Sequence, residues 1–102
     1  MVCEIVRIGD SARITIKGVV DGQGAMILKE RFRDLSHDQF DELVIDMAGV
    51  SRVGSSGLGD LLLFYKATAA RQGSLRLIRT PAAITAPMEE RRLATLFEIN
   101  GD

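Results

Sequence analysis

Two adjacent hydroxyls, Ser55 and Ser56, stand among three glycines, Gly54, Gly57 and Gly59, within six residues. Residues of these types can cap a helix, cradle a phosphate or supply a nucleophile. A serine at an N-cap accepts a hydrogen bond from an otherwise unpaired backbone N–H, contributing ~1 kcal/mol, which accounts for one serine and not two. Glycine weakens helices and strands, so this density implies unusual backbone angles or close approach of another surface. A glycine-rich strand-to-helix loop also suits phosphate, but the Lys-Ser/Thr ending of a P-loop is absent. A hydrolase would need a histidine to activate Ser55 or Ser56, and the chain has one histidine, His37, in a polar stretch. The nucleophile-elbow spacing also fails, because Leu58 stands where its last glycine is required. With no second His and no usable Cys nearby, His37 makes no metal site. Cys3, the lone cysteine, lies in a strand-like stretch and reads as a packing residue.

The elements that must hold this segment follow from periodicity. From Cys3 to Arg7 and from Ala12 to Val20, apolar and polar residues alternate, the signature of half-buried strands. Gly9 and Asp10 read as the turn of an antiparallel hairpin whose first strand lies at an edge, where Glu4 and Arg7 would discourage stray pairing. After the loop Asp21-Gly22-Gln23-Gly24, residues Ala25, Leu28, Phe32 and Leu35 fall on one face of a helix that ends at Ser36-His37-Asp38. Leu43 to Met47 and Leu75 to Ile78 are short apolar runs that predict central strands. Between them, Leu58, Leu61, Leu62, Tyr65, Thr68 and Ala69 predict a helix over about 56–72, with Gly73 as a left-handed C-cap. Residues 50–59 connect strand to helix. Pro81 and Pro87 bracket a short Ala-rich helical turn, and Leu93 to Ile99 supply a last short helix and a strand end. This order predicts right-handed crossovers and an α/β fold: a mixed, mostly parallel four- to five-stranded sheet with an antiparallel N-terminal edge strand and helices packed against it.

With 102 residues, 46% hydrophobic and 26% charged, the sequence predicts a single globular domain over 1–102. A net charge of −1 gives no field to draw in nucleic acid. Apolar runs such as Leu61 to Tyr65 are far shorter than the ~20 residues that span a bilayer, and Glu4 and Arg7 break any signal-peptide core. A cytoplasmic protein with no cofactor, no nucleic-acid partner and no direct membrane insertion is expected.

The stretch Ser55-Ser56-Gly57-Leu58-Gly59, after a strand and before an apolar helix, resembles the Asp-Ser-Ser-Gly-Leu-Gly signature of STAS domains, the family of sulphate transporters and anti-sigma factor antagonists. Gly18-Val19-Val20-Asp21, Val44-Ile45-Asp46-Met47 and Leu96-Phe97-Glu98-Ile99 extend the resemblance over nearly the whole chain. It implies a STAS-like fold and a bacterial, non-enzymatic regulator. Ser55 corresponds to the serine phosphorylated by a partner kinase, with Ser56 as the alternative. Asp21 corresponds to an acidic residue on the loop facing that serine. Gly54 replaces the motif's aspartate, removing a negative charge beside the acceptor.

The resemblance further implies that the unphosphorylated protein captures an anti-sigma factor that is also a serine kinase, an ATPase of the histidine-kinase-like fold, and so frees a sigma factor; a serine phosphatase would reset it. A partner surface over Asp21, Gly54, Ser55, Ser56, Gly57, Leu58 and Gly59 is expected, the glycines admitting the partner's backbone, with Arg52 solvated. The alternative is a STAS subunit of a transporter ATPase or stress-signalling complex, acting as a scaffold without a phospho-switch. Many family members continue past the position of Ile99 into another helix, so apolar surface left free here is expected to mediate self-association or partner binding.

Overall fold

The computed structural model describes residues 1–35, 40–90 and 98–99. Its elements are β1 (Val2–Ile8), β2 (Ser11–Val20), α1 (Gly22–Leu35), β3 (Glu42–Val53), α2 (Ser55–Ala70), β4 (Ser74–Ile78), α3 (Ala82–Glu90) and β5 (Glu98–Ile99). The five strands form one sheet in the order β1-β2-β3-β4-β5. β1 pairs antiparallel with β2 through the Gly9-Asp10 turn, and all other pairings are parallel. This is the mixed sheet that the sequence predicts, and Gly9 takes the positive φ, 58°, that the tight turn needs. The helix expected before β5, like His37, lies outside the described residues.

Alternation decides where the core sits. Ile14 and Ile16 of β2, Leu43 and Ile45 of β3, and Leu75 and Leu77 of β4 are buried in one cluster with Leu28 and Phe32 of α1 and Leu61 and Phe64 of α2. The Phe32 and Phe64 rings stack at 4.1 Å between centroids, adding to the area they bury. Ile84 and Met88 of α3 join the same cluster.

Four features differ from the sequence reading. β3 does not end near Met47 but runs twelve residues to Val53. Its pairing with β2 continues across two register shifts, between Thr15 and Lys17 and between Gly18 and Val19. Such bulges bend a strand without ending it. The Asp46 carboxylate accepts the Ala48 N–H at 3.1 Å within the first shift, and Gly18 takes a φ of 107° at the second. α1 begins at Gly22, so the supposed loop glycines form its first turn. The left-handed residue after α2 is Gln72, with a φ of 61°; a Cβ on Gly73 would lie 2.7 Å from the Asp41 carbonyl oxygen, so Gly73 is required by close approach. Finally, Pro87 does not bracket the helix near it, since α3 runs through it to Glu90.

On the sheet face away from this core, Asp46 is 2% exposed. It accepts from Arg79 and, at 3.3 Å, from Arg13 Nη2. Burial pushes its carboxyl up, but the Arg79, Ala48 and Arg13 donors outweigh burial and hold it below the usual carboxylate range. The result is a pinned β3 whose far end delivers residues 54–56 to a fixed place.

Candidate functional site

Val20 and Val53, paired at the ends of β2 and β3, bring the starts of α1 and α2 side by side. The Gly54 N–H donates to the Val20 carbonyl at 3.1 Å, and the Leu58 N–H donates to the Gly54 carbonyl at 2.9 Å. Gly54 is therefore the N-cap of α2, in an extended conformation and without a side-chain cap. Neither serine plays the capping role considered from the sequence; Ser55 and Ser56 open the helix itself.

Ser56 fastens the two helix starts together. Its hydroxyl donates to Asp21 Oδ1 and accepts the Gly22 N–H at 3.1 Å. That hydrogen bond first, and the Gly22 N–H second, hold the Asp21 carboxyl below the usual range. Arg52 Nη2 stands 3.8 Å from Asp21 Oδ2, so the guanidinium expected to be merely solvated faces the acidic loop.

Ser55 is exposed, and among the described residues its side chain makes no hydrogen bond. It lines a hollow of about 280 Å³ together with Arg52, Val53, Leu58, Ile84 and Met88. α3 was not part of the site expected from sequence. The apolar pair Ile84 and Met88, four residues apart and so on one face of a helix, is the signal that could have placed it there.

The glycines divide by function. A Cβ on Gly57 would overlap the Val20 carbonyl oxygen, so this buried glycine lets α2 sit against the end of β2 and is no part of an open surface. A Cβ on Gly54 would overlap the Asp21 carboxylate, which lies over it. An aspartate at 54 would set a second carboxylate against the first, so the missing motif residue is matched by Asp21 occupying its space. Gly59 alone of the three has nothing within 4 Å of a Cβ, leaving room beside the helix start. In Gly54→Ala the Asp21 carboxylate must swing away from Ser56. Its titration, followed by carboxyl carbon NMR shifts, is expected to return to the ordinary carboxylate range, whereas in the parent chain it lies below; identical titrations would place the carboxylate elsewhere.

Asp21, Gly54 and Ser56 thus come together, Ser55 and Leu58 face the hollow, and Gly57 is internal. Among the described residues, no group of three or more His, Cys, Asp or Glu side chains could hold a metal ion, and no helix is long and apolar enough to cross a membrane.

A family model described as Mlab, STAS domain matches residues 3–98. Among solved structures, the chain is similar to an anti-sigma factor antagonist from Mycobacterium paratuberculosis, with 21% identity, a TM-score of 0.87, and 99% of this chain and 86% of that chain covered. It is also similar to the anti-sigma factor antagonist SpoIIAA in its unphosphorylated form, at 13% identity and a TM-score of 0.85, covering 99% and 90% of the two chains. The phosphorylated form of SpoIIAA, a Bacillus cell fate determinant, matches at 13% identity and a TM-score of 0.78, covering 99% and 93%. At these identities the likeness is one of fold.

Proposed function

Because this chain belongs to the STAS domain family, we propose that it is a non-catalytic anti-sigma factor antagonist of the bacterial cytoplasm, switched by phosphorylation of Ser55. The observation that carries the reading is the contrast between the two hydroxyls: Ser56 is held by Asp21 and Gly22, whereas Ser55 is exposed beside the hollow. A kinase can take the second without breaking a bond of the fold. A phosphate brings about −1.5 to −2 charges at pH 7, which a helix N-terminus tolerates. SpoIIAA resembles this chain in both of its forms, which supports a switch that alters the surface and leaves the fold in place.

Unphosphorylated, the Ser55 hollow receives an anti-sigma factor that is also a serine kinase, through apolar contacts with Val53 and Leu58 above the buried Ile84 and Met88. Phosphorylated, the same surface would force the partner to desolvate a dianion next to Asp21, and binding is lost. A serine phosphatase restores it. Asp21, Gly54, Ser55, Ser56, Leu58 and Gly59 form the partner surface, with Gly57 supporting it from below.

The Gly54 departure favours a second reading, a scaffold subunit of a transporter ATPase or stress-signalling complex that keeps the docking loop without the switch. Capture from the native host's lysate by the parent chain, Ser55→Ala and Ser55→Glu, followed by mass spectrometry, separates the two. The switch requires that the parent and Ser55→Ala retain a serine-kinase ATPase and that Ser55→Glu lose it. Equal capture of a transporter or scaffold component by all three would replace the first reading with the second.

A further inference from the structure

We propose that the outer edge of β1 is a self-association surface, pairing antiparallel with β1 of a second copy about a two-fold axis through Ile5. The sheet order leaves β1 at an edge, with β2 as its neighbour. Its pairing with β2 runs from Val2 to Ile8 without a register shift, so no bulge twists the edge away. The strand contains no proline or lysine, two of the devices that blunt an edge, and its charges are one Glu and one Arg. Among the described residues no strand pairs with this edge, a row of backbone groups about 23 Å long.

The side chains favour a partner of the same kind. Register with Lys17, Thr15, Arg13 and Ser11 puts Val2, Glu4, Val6 and Ile8 on the sheet face away from the core. There Val2 is 54% exposed, Val6 52% and Ile8 66%, an apolar column that the monomer leaves in water. A two-fold axis through Ile5 sets Val2 opposite Ile8 and Glu4 opposite Val6 of the second copy. Val2, Val6 and Ile8 of each copy then lose water contact together. Residue 5 meets itself on the core side.

Charge agrees with this register. Glu4 makes no ion pair among the described residues, and in the dimer it lies two strands, about 10 Å, from the second copy's Arg13 on the same face. That guanidinium is 44% exposed beside Asp46, and a glutamate and an arginine side chain together span the gap over Val6. Glu4 and Arg7, suggested by the sequence as guards against pairing, lie on opposite faces, and across the axis neither is opposed to its own copy: Glu4 faces Val6 and Arg7 faces Cys3. A register shifted two residues toward the N-terminus would oppose Glu4 to Glu4 and is disfavoured. The interface is isologous and closed, joining two five-stranded sheets into one and leaving the Ser55 hollow at the far strands' ends. Its small area sets a weak, concentration-dependent dimer.

Disulfide trapping tests the register. In a Cys3→Ser background, Ile5→Cys places two thiols directly opposite, within the 4.4–6.8 Å Cα range a disulfide requires, whereas Val2→Cys places its copies about 20 Å apart. With diamide as oxidant, Ile5→Cys is expected to give a covalent dimer on non-reducing gels and Val2→Cys to stay monomeric. A mixture of Val2→Cys and Ile8→Cys chains is expected to cross-link. Sedimentation equilibrium of the parent chain should show a dimer that Val6→Lys weakens at least about tenfold, with unchanged circular dichroism because Val6 is exposed. A strict monomer at every concentration, or equal trapping of Ile5→Cys and Val2→Cys, overturns the proposal. Neither result bears on the Ser55 switch.

Discussion

Gly57→Ala is expected to destabilise the protein by about 3 kcal/mol, at the upper end of what one inserted methyl costs in a packed interior. The methyl would overlap the Val20 carbonyl oxygen, and that atom is backbone, fixed by the β2–β3 pairing and by the Gly54 N–H. Nothing flexible can yield, so α2 must move. Ser55 and Ser56 ride on its first turn, and a shift of that turn pulls Ser56 away from Asp21 and Gly22. Capture of the partner should fall even with Ser55 untouched. Gly59→Ala is the matched comparison: its Cβ meets nothing within 4 Å, so the better helix propensity of alanine should raise stability by up to about 1 kcal/mol. Urea denaturation of both variants checks the opposite signs, and equal stabilities would show that α2 does not rest on the end of β2.

Asp46→Ala is expected to cost about 2–3 kcal/mol at neutral pH. Removing one member of a buried ion pair typically costs about 3–5 kcal/mol. Here Arg13 and Arg79 are 44% and 54% exposed, so water recovers part of what the carboxylate supplied. The Ala48 N–H also loses its acceptor at the first bulge of β3, which loosens the strand that delivers Gly54 and Ser55. The pH dependence has a definite sign. Because the folded carboxyl is held below its ordinary range, the native state binds this proton less readily than the unfolded chain. Its contribution is complete above the ordinary range near pH 4 and is lost as pH falls through the folded value. The gap between the parent and Asp46→Ala in urea melts should therefore narrow toward pH 2. A gap that does not change with pH would mean that the pairing is not the source of the effect.

Much of this protein was legible in order of residues. Period-two alternation in β1 and β2, the helical spacing of Leu28, Phe32 and Leu35, and the apolar runs of β3 and β4 each encode local geometry, and local geometry with right-handed crossovers is enough to predict a mixed sheet with an antiparallel edge strand. The serine–glycine segment announced itself by composition alone. What the sequence could not give was any relation set by distant partners. The bulges that carry β3 to Val53 depend on how β2 lies beside it, and the apolar run read alone stops at Met47. The meaning of each glycine depended on what faces it: the Val20 carbonyl at Gly57, the Asp21 carboxylate at Gly54, open space at Gly59. The division of labour between Ser55 and Ser56 was likewise undecided until α1 was brought beside α2, because a hydroxyl's availability is a matter of which donors and acceptors reach it, and Asp21 is 35 residues from Ser56.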